Sequence, residues 1–554
     1  MVNKKLSLLF LSLSTALVLA ACGGGSSEET DSSSEAGGNG SGEQVLNLVE
    51  TAEIPSMDSS QATDTVAFTV LTNVNEGLYR QTEDGSLELG MAEEEPTVSE
   101  DGLTYTFKIR EDATWSNGDP VTANDFVYSW QKLVDPALAA PYSYMMDGVI
   151  ANATEIIAGE VAPEELGVTA VDEKTLEVQL INALPYFKNL LSLAMFYPQN
   201  QAFVEEQGDQ YALSSDALVY NGPFLLEDWQ AAGLSWTYTK NPDYWDAETV
   251  QLNQINVDVV KETSTALNLY DTDAVDRMIV TGEYVQQRQG DAEMHTMPTS
   301  SVFFLKYSQV REDSPLRNEN IRKAISMAFD KQAYSDVVLQ NGSIPANGLV
   351  PEGLASNPET DEDFRAQNGD MLPYNVEEAK EYWEKGLEEL GVDSITLELL
   401  SDDTENAKRS SEFIQSQLAT NLPGLEITLR NVPFKVRLEA DNSGDYDIQL
   451  NGWGADYADP INFLELFQTD NGNNGSGYSN SEYDALIDQA RTETEDLNAR
   501  WDMLLEAEQI LMDDAGIGPV YQRANAVLEK DYVEGIAEHL VGADYTYKWA
   551  TVNK

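Results

Sequence analysis

The sequence predicts an α/β protein of more than one domain, and three observations carry that expectation. The chain has 554 residues, more than one hydrophobic core organises, so two or three domains are expected. Strand-like alternation and helical periodicity follow one another along its length. One stretch reads as a complete βαβ unit: a strand over Ile395–Leu400, a helix over Thr404–Thr420 and a strand over Leu425–Val432. Such a unit carries a right-handed crossover and a parallel strand pair.

The first pattern is an alternating strand at Val45–Val49, followed by a polar loop through Thr65. Phe68, Leu71, Val74 and Leu78 stand at helical spacing and predict a helix over 68–78. Leu103–Ile109 alternates as a strand, and Trp115–Pro120 is a tight turn. Thr122 and Asp125 form a capping box that opens a helix striped by Phe126, Trp130, Leu133 and Val134 and stopped at Asp135-Pro136. Strands are predicted at Thr175–Leu180, within Asn221–Trp229, at Leu234–Lys240, at Ile255–Val260 and at Val302–Tyr307. Leu190–Tyr197 is apolar enough to be buried.

Asn318 to about Gln340 reads as one helix, and residues 341–368 as mostly loop. A second capping box, Asn375 with Glu378, opens a helix that Gly391 closes. After the βαβ unit, the strand Tyr446–Leu450 runs into a glycine-rich bend, Asn451–Pro460. Helices are predicted at Phe463–Phe467, Ser481–Arg491 and Arg500–Asp513. An extended segment at Ile517–Tyr521 and a last strand within Tyr545–Val552 complete the chain. Taken alone, Asn451–Pro460 reads as a strand end with a core Trp and a turn-capping acid. The alternative is a ligand floor: Asp456 receives a cation and the Trp453 indole covers an apolar side chain.

Composition excludes several functions. Lys and Arg number 32 against 96 Asp and Glu, a net charge of −64, the opposite of a nucleic-acid footprint. A single cysteine, Cys22, allows no intrachain disulfide, and two distant histidines, His295 and His539, give no His/Cys metal cluster. No metal and no cofactor are expected. A surface hydrolase is the distant competing reading, since no nucleophile elbow or zinc motif occurs, although a carboxylate pair among so many acids stays open.

Residues 1–21 read as a secretory signal: Lys4 and Lys5, an apolar stretch Leu6–Leu19, then Leu19-Ala-Ala-Cys22. The last four residues resemble the lipobox of bacterial lipoproteins, in which Cys22 becomes the lipidated first residue. Residues 22–44 hold no large apolar side chain and read as a flexible tether. A lipid-anchored, extracytoplasmic protein of a Gram-positive cell is therefore expected.

Five landmarks together resemble one family, the oligopeptide-binding lipoproteins of ABC importers in the peptide/nickel class of solute-binding proteins. They are Trp115-Ser-Asn-Gly-Asp-Pro-Val-Thr-Ala-Asn-Asp-Phe-Val-Tyr-Ser-Trp130, Asn221-Gly-Pro-Phe…Trp229, Lys240-Asn-Pro-Asp-Tyr-Trp245, Arg322–Lys331 and Gly452-Trp-Gly-Ala-Asp-Tyr-Ala-Asp-Pro460. The resemblance implies a two-lobed periplasmic-binding-protein-like fold of type II, with mixed sheets flanked by helices and a hinge of two crossing strands. It implies lobe 1 over 45–78, 215–300 and 521–554, an extra subdomain over 79–214, and lobe 2 over 301–520. It further implies a monomer that captures an extended oligopeptide and delivers it to the transmembrane subunits of a permease. A peptide-pheromone receptor of the same fold is the alternative.

The resemblance also assigns residues. Asp456 receives the peptide's α-ammonium, with Gly452, Trp453, Gly454 and Tyr457 beside it. Ala62, Thr63, Asp64 and Thr65 pair with the peptide backbone, and Tyr142 and Phe434 line the cleft. One departure stands out. Where some relatives hold the peptide's C-terminal carboxylate with Arg or His, this chain has Asp441, Leu450 and about Asn406. Lys408, Arg409, Arg437 and Arg523 are the candidates to substitute. The expectation is a C-terminus that is not clamped.

Overall fold

The computed structural model describes residues 44–83, 85–184, 186–469 and 471–554. The signal segment, Cys22 and the tether up to residue 43 lie outside the described residues. Gln44, expected as the end of the tether, is instead fastened. Its amide donates to the Val552 carbonyl at 2.7 Å and accepts from the Val552 N–H at 3.0 Å, tying the start of the body to its C-terminus.

Two long strands organise the molecule. Met294–Tyr307 and Ile517–Glu529 run antiparallel and sit side by side in an eleven-stranded mixed sheet. At one end of the pair, Ile517–Glu529 continues to Arg277–Val280, and through it to Val45–Glu50, Gln254–Val259, Ser235–Lys240 and Phe224–Glu227. At the other end, Met294–Tyr307 pairs with Ile448–Gly454, which leads to Ile395–Asp402 and Leu425–Val432. The register slips between Pro298 and Val302, where one set of neighbours gives way to the other. A bulge bends and twists a strand pair locally, so the crossing strands join two halves at a bend. The predicted parallel βαβ unit is present, with Ile395 opposite Leu425. Within 79–214 a separate four-stranded antiparallel sheet forms, in the order Thr97–Val98, Thr104–Lys108, Thr175–Gln179, Val168–Asp172.

Local chemistry explains why several landmarks have their residues. The Thr122 N–H donates to Asp125 at 2.8 Å, and the Trp115 indole N–H reaches the same carboxylate at 3.2 Å. Trp130 donates to the Phe196 carbonyl at 2.9 Å. The Asn221 side chain bonds the backbone of Glu76 in both directions at 3.0 Å. A Cβ on Gly222 would meet the Val74 carbonyl carbon at 2.6 Å. Arg322 donates to the carbonyls of Leu316, Arg317, Asp514 and Ala515. These landmarks are scaffold: they lace loops to helix ends with buried hydrogen bonds.

Four expectations need correction. The helix expected over 318–340 is broken. It runs Glu319–Met327, then Asp330 caps a new turn by accepting from Ala333 N–H at 2.9 Å, and Tyr334–Leu339 continues with a π pattern. The helix expected over 68–78 starts at Thr65 and ends at Val74, because the chain leaves it to pair with Asn221. The bend at 451–454 is strand, because Ser301–Tyr307 pairs with it as far as Gly454. Only Tyr545–Thr546 and Thr551–Val552 are extended in the last segment.

Candidate functional site

A cavity of about 320 Å³ opens between the two halves, within the range of roughly 300–1,000 Å³ typical of ligand sites. One wall comes from Thr63–Val66, Phe68 and Tyr142, the other from Phe434, Arg437 and Asn451–Gly454, with Asp456 at one end.

The Asp456 end is built by long-range contacts. The strand Ile448–Gly454 delivers the chain to the turn, and Asp459 anchors the far side by a two-pronged bond with Arg500 at 2.9 and 3.0 Å. Between them Asn462 fixes Asp456. Its Oδ1 accepts the Asp456 N–H at 2.8 Å and its amide donates to Asp456 Oδ2 at 3.1 Å. The Tyr142 hydroxyl, contributed by the other wall, donates to the two carboxylate oxygens at 3.3 and 3.4 Å. The Tyr142 ring stacks on Trp453 with centroids 5.9 Å apart and packs edge-on against Phe68 at 5.5 Å. Asp456 is only 4% exposed and, among the described residues, pairs with no cation. Burial pushes its pKa up to about 7, partly offset by the Asn462 and Tyr142 hydrogen bonds, with Glu465 behind it adding to the rise. A desolvated carboxylate held only by neutral donors gains most from an incoming cation.

The glycines have specific reasons. A Cβ on Gly452 would stand 2.8 Å from the Phe303 ring, which lies flat on Tyr521 at 4.6 Å. A Cβ on Gly454 would stand 3.0 Å from Ser301 Oγ and 3.7 Å from Thr65. Gly452 makes room for the Phe303 ring of the neighbouring strand, and Gly454 keeps the floor thin where Thr65 of the other wall approaches.

The opposite end carries charge that is already matched. Lys306 binds Asp441 at 2.7 Å and the Asn473 carbonyl at 2.9 Å. Arg437 binds Asp402 at 2.7 Å and Asn451 at 2.9 Å. Lys261 binds Asp403 at 2.6 Å. Arg523 lies instead towards the Asp456 end, 3.6 Å from Asp544 and 3.3 Å from the Oγ of Ser301, which pairs with Gly454.

Most of the sequence-predicted residues meet here: Thr63, Asp64, Thr65, Tyr142, Phe434, Gly452, Trp453, Gly454 and Asp456 line one cavity. Two do not. Ala62 is buried behind the wall. Tyr457 faces away, stacked on Tyr186 at 5.5 Å with its hydroxyl donating to Glu465 at 3.2 Å. Of the four candidate cations, Arg437 and Arg523 line the cavity, and Arg409 pairs with Glu405 at 2.7 Å outside it. Sequence reasoning missed Glu50, Lys261 and Lys306. Only Lys306 left a signal, a lysine between Leu305 and Tyr307 in a strand apolar on both sides.

An enclosed cleft between two strand-linked halves, with an unpaired acid at one end, is the architecture of a solute-binding protein. The chain belongs to the bacterial extracellular solute-binding proteins, family 5, whose middle-region model matches residues 86–475. It is 34% identical over 514 residues to the dipeptide-binding protein of Lactococcus lactis subsp. cremoris (strain MG1363), covering 90% of this chain and 93% of that one. The structure of Listeria monocytogenes OppA bound to peptide is similar with a TM-score of 0.90 and 50% identity, covering 93% of this chain and all of that one. The fold is thus the two-lobed periplasmic-binding-protein type. Two structures of the murein tripeptide-binding protein MppA, each 29% identical, give its conformation. The Escherichia coli structure matches with a TM-score of 0.81, covering 92% of this chain and 98% of that one. The unliganded open form matches with only 0.58, covering 92% and 97%. The lobes of this chain stand away from the open arrangement.

Proposed function

We propose that this chain captures oligopeptides outside the cytoplasm and presents them to an ABC permease, without chemistry of its own. Asp456 carries the reading: a buried carboxylate at a cleft end, supported only by neutral donors, fits the α-ammonium of a peptide. Backbone groups common to all peptides would pair with Thr63–Thr65 and Gly452–Gly454 as a strand pairs with a sheet edge. Trp453, Tyr142 and Phe434 would cover the first side chains. Ala62 and Tyr457 would support these walls from behind. The peptide C-terminus stays unclamped, because the cations at that end already hold acids.

In this reading lobe 1 comprises 45–78, 215–300 and 521–554, the extra subdomain 79–214, and lobe 2 301–520. The protein works as a monomer, and lipid on Cys22 holds it at the outer face of a Gram-positive cell membrane. The tether raises its effective concentration near the permease. Mass spectrometry of what co-purifies with the native protein tests the reading. A mixture of short peptides is expected, and one recurring sequence favours the signalling receptor instead. Recovery of non-peptide solute alone, or turnover of added peptide, contradicts it.

A further inference from the structure

The cleft contains a second buried acid that, among the described residues, forms no ion pair. Asp64 caps the helix Thr65–Val74, with Oδ1 accepting the Ala67 N–H at 2.9 Å. Its other oxygen, Oδ2, is buried without a hydrogen-bond partner, although the residue is only 8% exposed and lines the cavity. A buried polar atom left unsatisfied costs on the order of 1–3 kcal/mol, and more when charged, so such an atom in a binding cleft points to a ligand donor.

The ion pairs of the cleft make Asp64 distinctive. Lys261, Lys306 and Arg437 hold Asp403, Asp441 and Asp402. Among the described residues, no basic side chain forms an ion pair with Asp64. Arg437 is within electrostatic reach of it, but its Nε and Nη1 donate to Asp402 and Asn451 and not to Asp64. Glu50, the remaining unpaired acid of the lining, differs: the fields of Arg277 and Arg523 reach it, and Asp544 stands nearby. Asp64 also lies close to the Asp456 end. Its neighbour Thr65 packs beside Gly454, and the Tyr142 phenol feels both carboxylates.

Resting on the peptide reading above, we propose that Asp64 is a second cation-receiving position. It takes the ammonium or guanidinium of a basic side chain among the first residues of the bound peptide. The cleft is then selective as well as permissive, favouring Lys or Arg at one place near the N-terminus. Burial raises the Asp64 pKa to about 7, the state expected of a carboxyl awaiting a counter-charge.

The test is calorimetry of the full chain at pH 7.5 with pentapeptides carrying lysine or norleucine at position 1, 2 or 3. At one position lysine is expected to bind at least ~10-fold more tightly, as for hydrogen bonds to charged groups. Asp64→Asn keeps the helix cap, since Asn caps as well as Asp, and is expected to bring lysine to within ~3-fold of norleucine. Equal affinities at all three positions in the wild type overturn the proposal, as does a lysine preference that survives in Asp64→Asn. If neither the lysine nor the norleucine peptides bind the wild type, the peptide reading itself falls and takes this proposal with it.

Discussion

The two ends of the cleft solve the problem of buried charge in opposite ways. At one end Asp456 is surrounded by an amide, a phenol and two aromatic rings, and among the described residues no cation pairs with it. At the other, Lys306 with Asp441 and Arg437 with Asp402 are mutually neutralised. Buried ion pairs cost desolvation that their own attraction largely repays, whereas a lone buried carboxylate stays in deficit until a partner arrives. One end is therefore poised for a ligand charge and the other is complete without one. A ligand anchored at its cationic end and free at its other end can vary in length.

The difference is tested first by removing the poised charge. Asp456→Asn is expected to cost on the order of 3–5 kcal/mol of affinity for a free-amine peptide, because the α-ammonium is then buried unpaired. Titration calorimetry reads this directly, and a change below tenfold contradicts it.

The second effect is on pH. Burial raises the Asp456 pKa to about 7, above its value of about 3.9 in the unfolded chain. The folded, ligand-free protein thus keeps a proton that the unfolded chain loses. This group's contribution to stability is fully present below pH ~4 and is lost as pH rises towards about 7. Ligand binding runs the other way, since it needs the carboxylate. Affinity is expected to rise between pH 5 and 7, by up to ~100-fold at ~1.4 kcal/mol per unit, and then to level off. The same series on Asp456→Asn should be flatter, and an unchanged slope assigns the proton elsewhere.

A smaller effect follows from Tyr142→Phe. It removes one donor to Asp456 while keeping the ring on Trp453, so a loss of about 1 kcal/mol is expected in the same titration. The smallest concerns the opposite end. Amidating the peptide's C-terminus should change affinity by less than about 1 kcal/mol, because Lys306 and Arg437 are already engaged. A large loss on amidation would show that one of these pairs opens to take the carboxylate.

What is legible in the sequence depends on how local its cause is. The capping box at Thr122–Asp125, the Gly391 helix stop and the parallel βαβ unit are short-range devices and form as read. At Asn375 only the cap forms: its side chain accepts the Glu378 N–H, while its own N–H donates to the distant Met327 carbonyl and not to Glu378. The strand at 448–454 outruns its sequence pattern because its partner strand imposes pairing on two glycines. Asp456 is readable from its motif, but the Tyr142 hydroxyl reaches it from 314 residues away, a contact without local signal. Tyr457 illustrates the converse. It adjoins Asp456 in sequence, yet the turn rotates it towards Tyr186 and Glu465, away from the cavity. The ion pairs that neutralise the far end are equally invisible, since each joins residues brought together only by the packed lobe.

The most direct measurement compares one peptide with its N-acetylated form on the unmodified protein. Acetylation removes the α-ammonium and little else. Binding of the free-amine peptide with an affinity loss of at least ~100-fold on acetylation is the result expected from an uncompensated Asp456. Equal affinity for the two forms would contradict it and leave the buried carboxylate without a role in binding.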